Sequence, residues 1–309
     1  MKRLGKERLH FTIGPFNEPV LRVKPGETLI VETEDAFIGM IRKPGDWKDN
    51  SRIPWGNPVS GPIYIEGAEK GDTLIVDVKE IKPLIGQGAT RVASLAILSG
   101  VVPLERFLKT EIPRKVWICP IKNGLIYWRE DLPLPYRPMI GTIGTAPEKQ
   151  AISTGLAGAH GGNLDLPDIC PGNRLFLPVF VEGALLHIGD VHALQGDGEL
   201  CGTAIEMPAE ITLTIDLIKG KAIGWPRIES EKYIMAVGVG KPLEDAIRIA
   251  FSQLIFWLEE EYGFDTLDAY NLCTHVGEIG IGYYLQSSVV ARFPKDYLPK
   301  KRGNQIYCI

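Results

Sequence analysis

Short segments of alternating apolar and polar residues, separated by glycine and proline, constrain the fold of this chain most strongly. The clearest is ITLTIDLIKG, over residues 211–220, where Ile211, Leu213, Ile215 and Leu217 alternate with Thr and Asp. Because successive side chains of a strand point to opposite faces, this alternation predicts a half-buried β-strand. VLRVKPGETLIVET (residues 20–33) and IYIEGAEKGDTLIVDV (residues 63–78) each predict two strands around a glycine turn. The 34 glycines and 23 prolines of the chain are typical of many short strands.

The pattern changes near the C-terminus, where KPLEDAIRIAFSQLIFWLEEEYG (residues 241–263) has helical periodicity. The apolar residues at this spacing are Leu243, Ile247, Ala250, Leu254 and Leu258. The segment begins after Pro242 and ends at Gly263, which suits the left-handed conformation that closes many helices. A second, shorter helix is predicted to begin at Asp265 or Thr266.

These patterns together predict a mainly β protein of the α+β class. We expect a jelly-roll-like antiparallel sandwich with additional C-terminal helices. A doubly wound α/β fold is disfavoured, because strands and helices do not alternate along the chain. A boundary near residue 145 would divide the chain into a β-rich part (1–145) and a part carrying further strands and the helices (146–309). The alternative is one continuous domain.

Charge and cysteine content limit the possible partners and compartment. The formal net charge is −4, which disfavours a nucleic-acid partner held through phosphate contacts. No apolar run approaches 18 residues, so no membrane span is expected. The five cysteines, at positions 119, 170, 201, 273 and 308, include no CxxC pair. An odd number of scattered thiols favours a reducing compartment, and we therefore expect a cytoplasmic protein.

The densest group of chemically active residues lies in GDVHALQGDGELCGTAIE, over residues 189–206. Asp190 and His192 are two residues apart, so on a strand both side chains share one face. Imidazole and carboxylate together suit zinc and other divalent metals, although a hydrogen-bonded pair or a capped turn would give the same pattern. Asp197-Gly198 predicts a hairpin turn, which would return Glu199 on the next strand toward the pair.

Three further positions belong to the same prediction. The loop HGGNLD places His160 and Asn163 among glycines that allow close backbone approach to a ligand, with an exposed loop histidine as the alternative. Asp35 ends the second predicted strand, where a simple turn residue is the alternative. Cys201, two residues after Glu199, is either a nucleophile or a small core residue.

Five motifs give the chain a resemblance to the acetamidase/formamidase family that runs nearly end to end. They are NPVSGPIYIEGAEKGD (57–72), RPMIGTIGTAP (137–147), HGGNLD (160–165), GDVHALQGDGELCGTAIE (189–206) and LEDAIRIAFSQLIFWLEEEYG (243–263). The resemblance implies hydrolysis of small carboxamides such as formamide and acetamide to ammonia and the carboxylic acid. It also implies a fold rich in β-sandwich and a cytoplasmic homodimer or higher homo-oligomer.

Motifs and residue chemistry together lead to a specific hypothesis about the site. A divalent metal, with zinc as first choice, is expected to be bound by His160, Asp190 and His192. Asp35 and Glu206 would add ligands, or would hold a second ion such as calcium. Glu199 is the expected general acid for the departing nitrogen. Asn163 and Gln195 are expected to bind the substrate amide, because both side chains present a donor and an acceptor.

Other functions compete with this hypothesis. One is an amidase in which Cys201 attacks the substrate with help from Glu199 and forms a thioester. Another is a hydrolase for a different small C–N compound, since sites change on a retained fold. The last is a non-catalytic β-sandwich that binds a small ligand or a metal.

Overall fold

The computed structural model describes residues 1–92, 108 and 112–299 of the 309-residue chain. In chain order its strands are β1 (Lys2–Leu4), β2 (Leu9–His10), β3 (Thr12–Ile13), β4 (Leu21–Val23), β5 (Thr28–Thr33), β6 (Val59–Ile65), β7 (Thr73–Pro83), β8 (Gln87–Val92), β9 (Lys115–Lys122), β10 (Leu125–Arg129), β11 (Leu132–Pro135), β12 (Met139–Gly144), β13 (Ile152–Ser153), β14 (Ala157–Gly158), β15 (Gly161–Asn163), β16 (Arg174–Pro178), β17 (Leu186–His192), β18 (Ala209–Ile218), β19 (Arg227–Glu229), β20 (Tyr233–Val239), β21 (Glu278–Ile281) and β22 (Ser288–Pro294). Helices α1 (Leu243–Tyr262) and α2 (Thr266–Val276) precede β21, and a 3₁₀ helix covers Lys295–Tyr297.

Two large sheets dominate the architecture. The first has nine strands in the order β1-β5-β18-β7-β16-β19-β20-β22-β21. The second has seven strands, ordered β14-β15-β12-β17-β6-β2 with β4 also paired to β6. A four-stranded sheet, β11-β10-β9-β8, and the pair β13-β3 complete the described strands. Within the described residues only β1–β5 and β4–β6 pair in parallel, so the predicted mainly β, largely antiparallel fold with C-terminal helices is confirmed.

The main core lies between the two large sheets. Every second residue of β18 from Ala209 to Ile215 is buried, as the alternation predicts. These side chains belong to one continuous apolar cluster with Ile63 of β6 and with Ile188 of β17 in the other sheet. The sandwich therefore fixes β17, the strand that carries the candidate ligands, from the core side.

The predicted glycine turns exist, but they connect the two sheets. Gly26 (φ 84°) lies between β4 and β5, and Gly71 (φ 94°) lies between β6 and β7. In each case the first strand belongs to the seven-stranded sheet and the second to the nine-stranded sheet. The segments that look like hairpins in the sequence are therefore corners of the sandwich.

Helix α1 packs its predicted face against the nine-stranded sheet. Ala250, Leu254 and Leu258 are buried in a second apolar cluster with residues of β20 and β22. The helix ends at Gly263, whose φ of 69° is left-handed and whose N–H donates to the carbonyl of Glu259 at 3.2 Å. Asp265 caps α2 by accepting from the N–H of Leu267 at 2.9 Å. Both helix predictions are confirmed.

Strands from both sides of residue 145 pair within both large sheets. β17 lies between β12 and β6, and β18 lies between β5 and β7. The boundary near residue 145 and the single-domain alternative both remain predictions. Among the described residues, no helix has the length and apolar character needed to cross a membrane.

Candidate active site

The end of strand β17 forms the floor of the candidate site. Asp190 and His192 are its last polar residues, and both are almost completely buried. Nε2 of His192 lies 3.5 Å from Oδ1 of Asp190, so the predicted convergence of these two groups is present. The strand pairs with β12 as far as His192, whereas its pairing with β6 ends at Gly189.

Glu206, the last residue of the motif at residues 189–206, contacts His192 of this Asp190–His192 pair. Its backbone forms an antiparallel bridge with His192 and another with Ala89. Oε2 of Glu206 lies 3.3 Å from Nε2 of His192, and Oε1 accepts a hydrogen bond from the N–H of Ala204 at 3.0 Å. The imidazole therefore faces carboxylates from two different segments of the chain.

Two further carboxyl groups complete the cluster. Asp165, Asp190 and His192 each place one ligand atom within 4.8 Å of the others. His192, Glu199 and Glu206 do the same. The structure thus gathers four buried carboxyl groups around the imidazole of His192.

Glu199 reaches the cluster by a route that differs from the prediction. Residues 194–205 form no strand, so the predicted hairpin with a returning strand is wrong. Gly198 instead donates its N–H to the carbonyl of Ile281 at 2.6 Å, and the N–H of Glu199 donates to Gly196 at 3.2 Å. Pairing with the segment after β21 replaces the hairpin ladder and turns Glu199 inward.

The backbone at the acidic positions is unusual. Asp165, Asp190 and Glu199 have φ values of 49°, 54° and 44°, in the left-handed region that residues with a Cβ seldom occupy. Such conformations cost of order 1–3 kcal/mol each and persist where the surroundings impose them, often at functional sites. Three strained residues that all direct carboxyl groups to one point are therefore a functional signal.

Gly141 of β12 leaves the space in which two of these carboxylates lie. A Cβ at this position would stand 2.7 Å from Oδ1 of Asp165 and 2.6 Å from the carbonyl oxygen of Asp190. Any side chain would have to displace one of them. Glycine here is required by the close approach of the acidic side chains to the sheet.

Side-chain amides hold the cluster in place. Asn163 donates from Nδ2 to Oδ2 of Asp165 at 2.6 Å, and its Oδ1 accepts from Thr142 at 2.7 Å. Gln195 accepts at Oε1 from Nδ1 of His192 at 2.8 Å. Both amides were predicted to bind substrate, and the structure gives them internal partners instead. Substrate binding by Asn163 and Gln195 remains a prediction. The bonds described here favour a positioning role for both side chains.

Asn57 and Thr142 are site residues that sequence reasoning missed. Asn57 donates from Nδ2 to Oδ2 of Asp190 at 2.9 Å and to Oδ1 of Asn163 at 2.8 Å. Thr142 donates to Oδ2 of Asp190 at 3.2 Å. Asp165 was also given no role. All three lie inside the motifs that carry the family resemblance, and this was the available signal.

Burial and mutual repulsion shift the protonation of the cluster. Burial raises the pKa of Asp165 well above its usual range, and the charges of Glu199 and Asp190 raise it further. Burial likewise raises the pKa of Glu199 to about 8 and that of Glu206 to about 7. Burial alone would lower the pKa of His192, but Glu206 and Asp190 outweigh it and raise the value well above the usual one. Without a cation, the site therefore retains protons at neutral pH.

The residues present fit a divalent metal. Oδ1 of Asp165, Oδ1 of Asp190 and Oε2 of Glu206 are buried and have no hydrogen-bond partner among the residues that the structure describes. Leaving such atoms unpaired costs about 1–3 kcal/mol each, and more when they are charged. Those of Asp190 and Glu206 lie 3.5 Å and 3.3 Å from Nε2 of His192, and a carboxylate oxygen of Asp165 lies within 4.8 Å of a ring nitrogen. Carboxylate oxygens and one imidazole are ligands for zinc and for harder divalent ions.

Two of the predicted metal ligands lie outside both ligand groups. Asp35 accepts at Oδ1 from the N–H groups of Phe37 and Gly39, and its other oxygen binds Arg42. His160 is buried, not exposed as a loop histidine would be, and burial lowers its pKa to about 4. Within the described part of the chain its Nε2 has no hydrogen-bond partner, and it belongs to neither group. The metal roles of Asp35 and His160 remain predictions.

Cys201 is held by the backbone. Its thiol donates to the carbonyl of Thr203 at 3.3 Å, and burial raises its pKa. A nucleophilic cysteine needs a lowered pKa or an adjacent base. This environment favours a structural thiol.

Comparison with known proteins identifies the family. The chain matches the Acetamidase/Formamidase family over residues 2–155 and 148–280, and it belongs to that family. The resemblance seen in the sequence motifs is confirmed.

Individual relatives agree with this assignment. An acetamidase of Mycolicibacterium smegmatis is 33% identical over 64% of this chain and 63% of its own length. A formamidase of Methylophilus methylotrophus is 28% identical over 69% of this chain and 64% of its own. The matches therefore span just under two thirds of these curated relatives. The crystal structure of an acetamidase from Yersinia enterocolitica superimposes with a TM-score of 0.89 and 38% identity, covering 97% of this chain and 93% of that one.

Proposed function

We propose that this protein hydrolyses small linear carboxamides, such as formamide and acetamide, to ammonia and the carboxylic acid. The observation that carries the proposal is the convergence of unpaired carboxylate oxygens on Nε2 of His192, in a chain of the Acetamidase/Formamidase family. The relatives named acetamidase and formamidase support the substrate class.

The proposed ligands for a divalent metal are Asp165, Asp190, His192 and Glu206. When bound, a divalent ion supplies a polarised substrate carbonyl and a water that ionises near neutral pH. Zinc remains the first choice because an imidazole takes part, although a ligand set rich in carboxylates also suits harder ions. We propose one ion at this cluster, because His192 offers one nitrogen to it. A second ion such as calcium near Asp35 remains a separate proposal.

Glu199 is the proposed proton donor to the departing nitrogen. An amide nitrogen is a poor leaving group until it is protonated, so the reaction needs an acid that still holds its proton near pH 7. Burial raises the pKa of Glu199 to about 8, which satisfies that requirement. Glu199 is also the most exposed carboxyl of the cluster, at 8% against 1–3% for Asp165, Asp190 and Glu206. Among the four carboxyl groups it therefore has the most direct access to solvent for proton exchange.

Substrate discrimination is expected to be modest. One methylene-sized difference in an apolar pocket changes specificity by about 1–3 kcal/mol. Formamide and acetamide should therefore both be turned over, at different rates.

Elemental analysis combined with ammonia release tests the proposal. Purified protein should contain about one divalent ion per chain and release ammonia from short amides. A chelator should abolish the release, and Zn²⁺ should restore it. Full activity in metal-free protein would overturn the metal mechanism but not the assignment as an amidase. No ammonia from any amide of the panel, with metal bound, would overturn the amidase assignment.

We further propose a cytoplasmic homodimer or higher homo-oligomer. The thiols of Cys119, Cys170, Cys201 and Cys273 are all free, which supports a reducing compartment. Sedimentation equilibrium of the purified protein measures its oligomeric state, and a monomer at all concentrations would contradict the proposal.

A further inference from the structure

The orientation of the Gln195 side chain is fixed by three hydrogen bonds. Its Nε2 donates to the carbonyl oxygen of Asp165 at 2.6 Å and to that of Gly282 at 3.2 Å. Exchanging the amide oxygen and nitrogen would set an oxygen against two carbonyl oxygens. Oε1 of Gln195 is therefore the atom that faces Nδ1 of His192, at 2.8 Å.

This orientation determines where the imidazole carries a proton. An amide oxygen can only accept a hydrogen bond, so Nδ1 of His192 must be the donor. When the ring gives up one proton, Nε2 is therefore the nitrogen that presents a lone pair. It faces Oδ1 of Asp190 at 3.5 Å and Oε2 of Glu206 at 3.3 Å.

We infer that Gln195 is a positioning residue that fixes the tautomer of His192 and thereby presents Nε2 to a divalent cation. A hydrogen bond to the second nitrogen of a metal-binding histidine orients the ring, and its loss typically weakens metal binding 10–100-fold. The role differs from the substrate binding that the sequence suggested for Gln195. The claim that Nε2 is presented to a cation rests on the proposed function. The claim that Gln195 holds a proton on Nδ1 of His192 does not.

Two variants separate positioning from simple structural support. Q195M removes all three hydrogen bonds at nearly constant volume. Q195E keeps an acceptor for Nδ1 in either protonation state, but it loses at least one of the donations to Asp165 and Gly282. Both variants should therefore lose conformational stability, measured as the free energy of unfolding of the metal-free protein.

Affinity for Zn²⁺, measured by competition with a chromophoric chelator, is the first readout. We expect Q195M to bind Zn²⁺ about 10–100-fold more weakly than the wild type. Q195E should bind as tightly as the wild type or more tightly, because its acceptor remains. If Zn²⁺ affinity fell equally in both variants, the hydrogen bonds from Gln195 to the carbonyls of Asp165 and Gly282 would account for the loss. That result would overturn the inference. Unchanged affinity in Q195M would also overturn it.

The ring proton of His192 is the second readout and needs no metal. In ¹H–¹⁵N NMR spectra of the metal-free protein, the wild type and Q195E should show an Nδ1 proton that exchanges slowly with solvent. In Q195M that proton should exchange much faster because its acceptor is gone, and H192N provides the assignment of the signal. If the wild type binds no Zn²⁺, the proposed metal mechanism fails. The NMR measurement then still decides whether Gln195 holds the proton on Nδ1 of His192. A wild type without the signal would overturn the inference.

Discussion

Nε2 of His192 lies 3.3 Å from Oε2 of Glu206, and both side chains are sealed from solvent. Thirteen residues lie between the two along the chain, yet the end of β17 and a single antiparallel bridge set their side chains face to face. The pair is the centre of the candidate site, and the predictions below start from it.

Replacing Glu206 by Gln should damage metal binding and activity together. The amide keeps an oxygen for the N–H of Ala204 but removes one of the negative charges that face His192. Because Glu206 is a proposed direct ligand, we expect Zn²⁺ affinity to fall by at least the roughly 10–100-fold typical of indirect partners. Chelator competition and ammonia release measure the two effects. The control is E210Q, which alters a glutamate paired with Arg3 at the surface. Tight Zn²⁺ binding by E206Q would remove Glu206 from the ligand set.

Replacing Glu199 by Gln should lower activity and raise stability. Loss of a general acid typically costs about 10²–10⁴-fold in rate. The pKa of Glu199 is raised from 4.5 to about 8, so its contribution to stability is fully present below pH 4.5 and is lost as the pH rises toward 8. At pH 8 the neutral amide should therefore stabilise the metal-free protein by roughly 1–3 kcal/mol, and at pH 4 by little. Urea unfolding at the two pH values measures this.

The neighbouring exposed Asp197 supplies the matched control for Glu199. D197N should leave both the rate and the stability difference between pH 4 and pH 8 close to wild type. A fully active E199Q would exclude Glu199 as the proton donor.

Replacing Cys201 by Ala should leave most of the activity. The thiol donates to the carbonyl of Thr203, and burial raises its pKa, so it is poorly prepared for attack. We expect the ammonia-release rate to stay within about threefold of wild type, with a modest loss of stability from the smaller side chain. An inactive but folded C201A would instead favour the thioester mechanism.

Replacing Gly141 by Ala should disable the site without exposing the core. The new methyl group would lie 2.7 Å from Oδ1 of Asp165 and 2.6 Å from the carbonyl oxygen of Asp190, and one of them must move. Misplacement of catalytic groups by about 1 Å can cost about 10²-fold in rate. G196A is the control, because a Cβ there meets no atom within 4 Å. Similar Zn²⁺ affinity and rate in both variants would show that Gly141 does not protect the cluster geometry.

The buried His187 should destabilise the protein in acid. Burial lowers its pKa from 6.5 to about 3, and its Nδ1 lies 2.9 Å from the carbonyl oxygen of Leu185. Below pH 6.5 the unfolded chain gains a proton that the folded protein does not take up, so stability falls as the pH falls. Between pH 7 and pH 5, His187 alone should remove about 2 kcal/mol.

Unfolding of H187N by urea at pH 7 and pH 5 tests this contribution. Asn can still donate to Leu185 and does not titrate, so the acid loss of stability should become smaller. H275Q, which changes an exposed histidine of α2, is the control. The same acid loss in H187N and in the wild type would contradict the prediction.

Local pattern was sufficient for much of the fold. The period of two in residues 211–217 gave β18 and its buried face, and the helical spacing of Ala250, Leu254 and Leu258 gave α1. Gly26 and Gly71 marked real turns, but the sequence could not show that these turns cross between sheets. Which sheet a strand joins depends on long-range pairing, and a turn motif carries no information about it.

By itself the sequence determined that Asp190 and His192 share one side of a strand, and its motifs identified the family. It also named Glu199 and Glu206 as members of the site. Only the tertiary structure decided that Asp165 belongs with them, that Asp35 instead binds Arg42, and that Gln195 bonds to Nδ1 of His192. The physical reason is that Asp165 depends on a left-handed backbone and that Gln195 is held by the carbonyls of Asp165 and Gly282, far along the chain, neither of which a local pattern specifies.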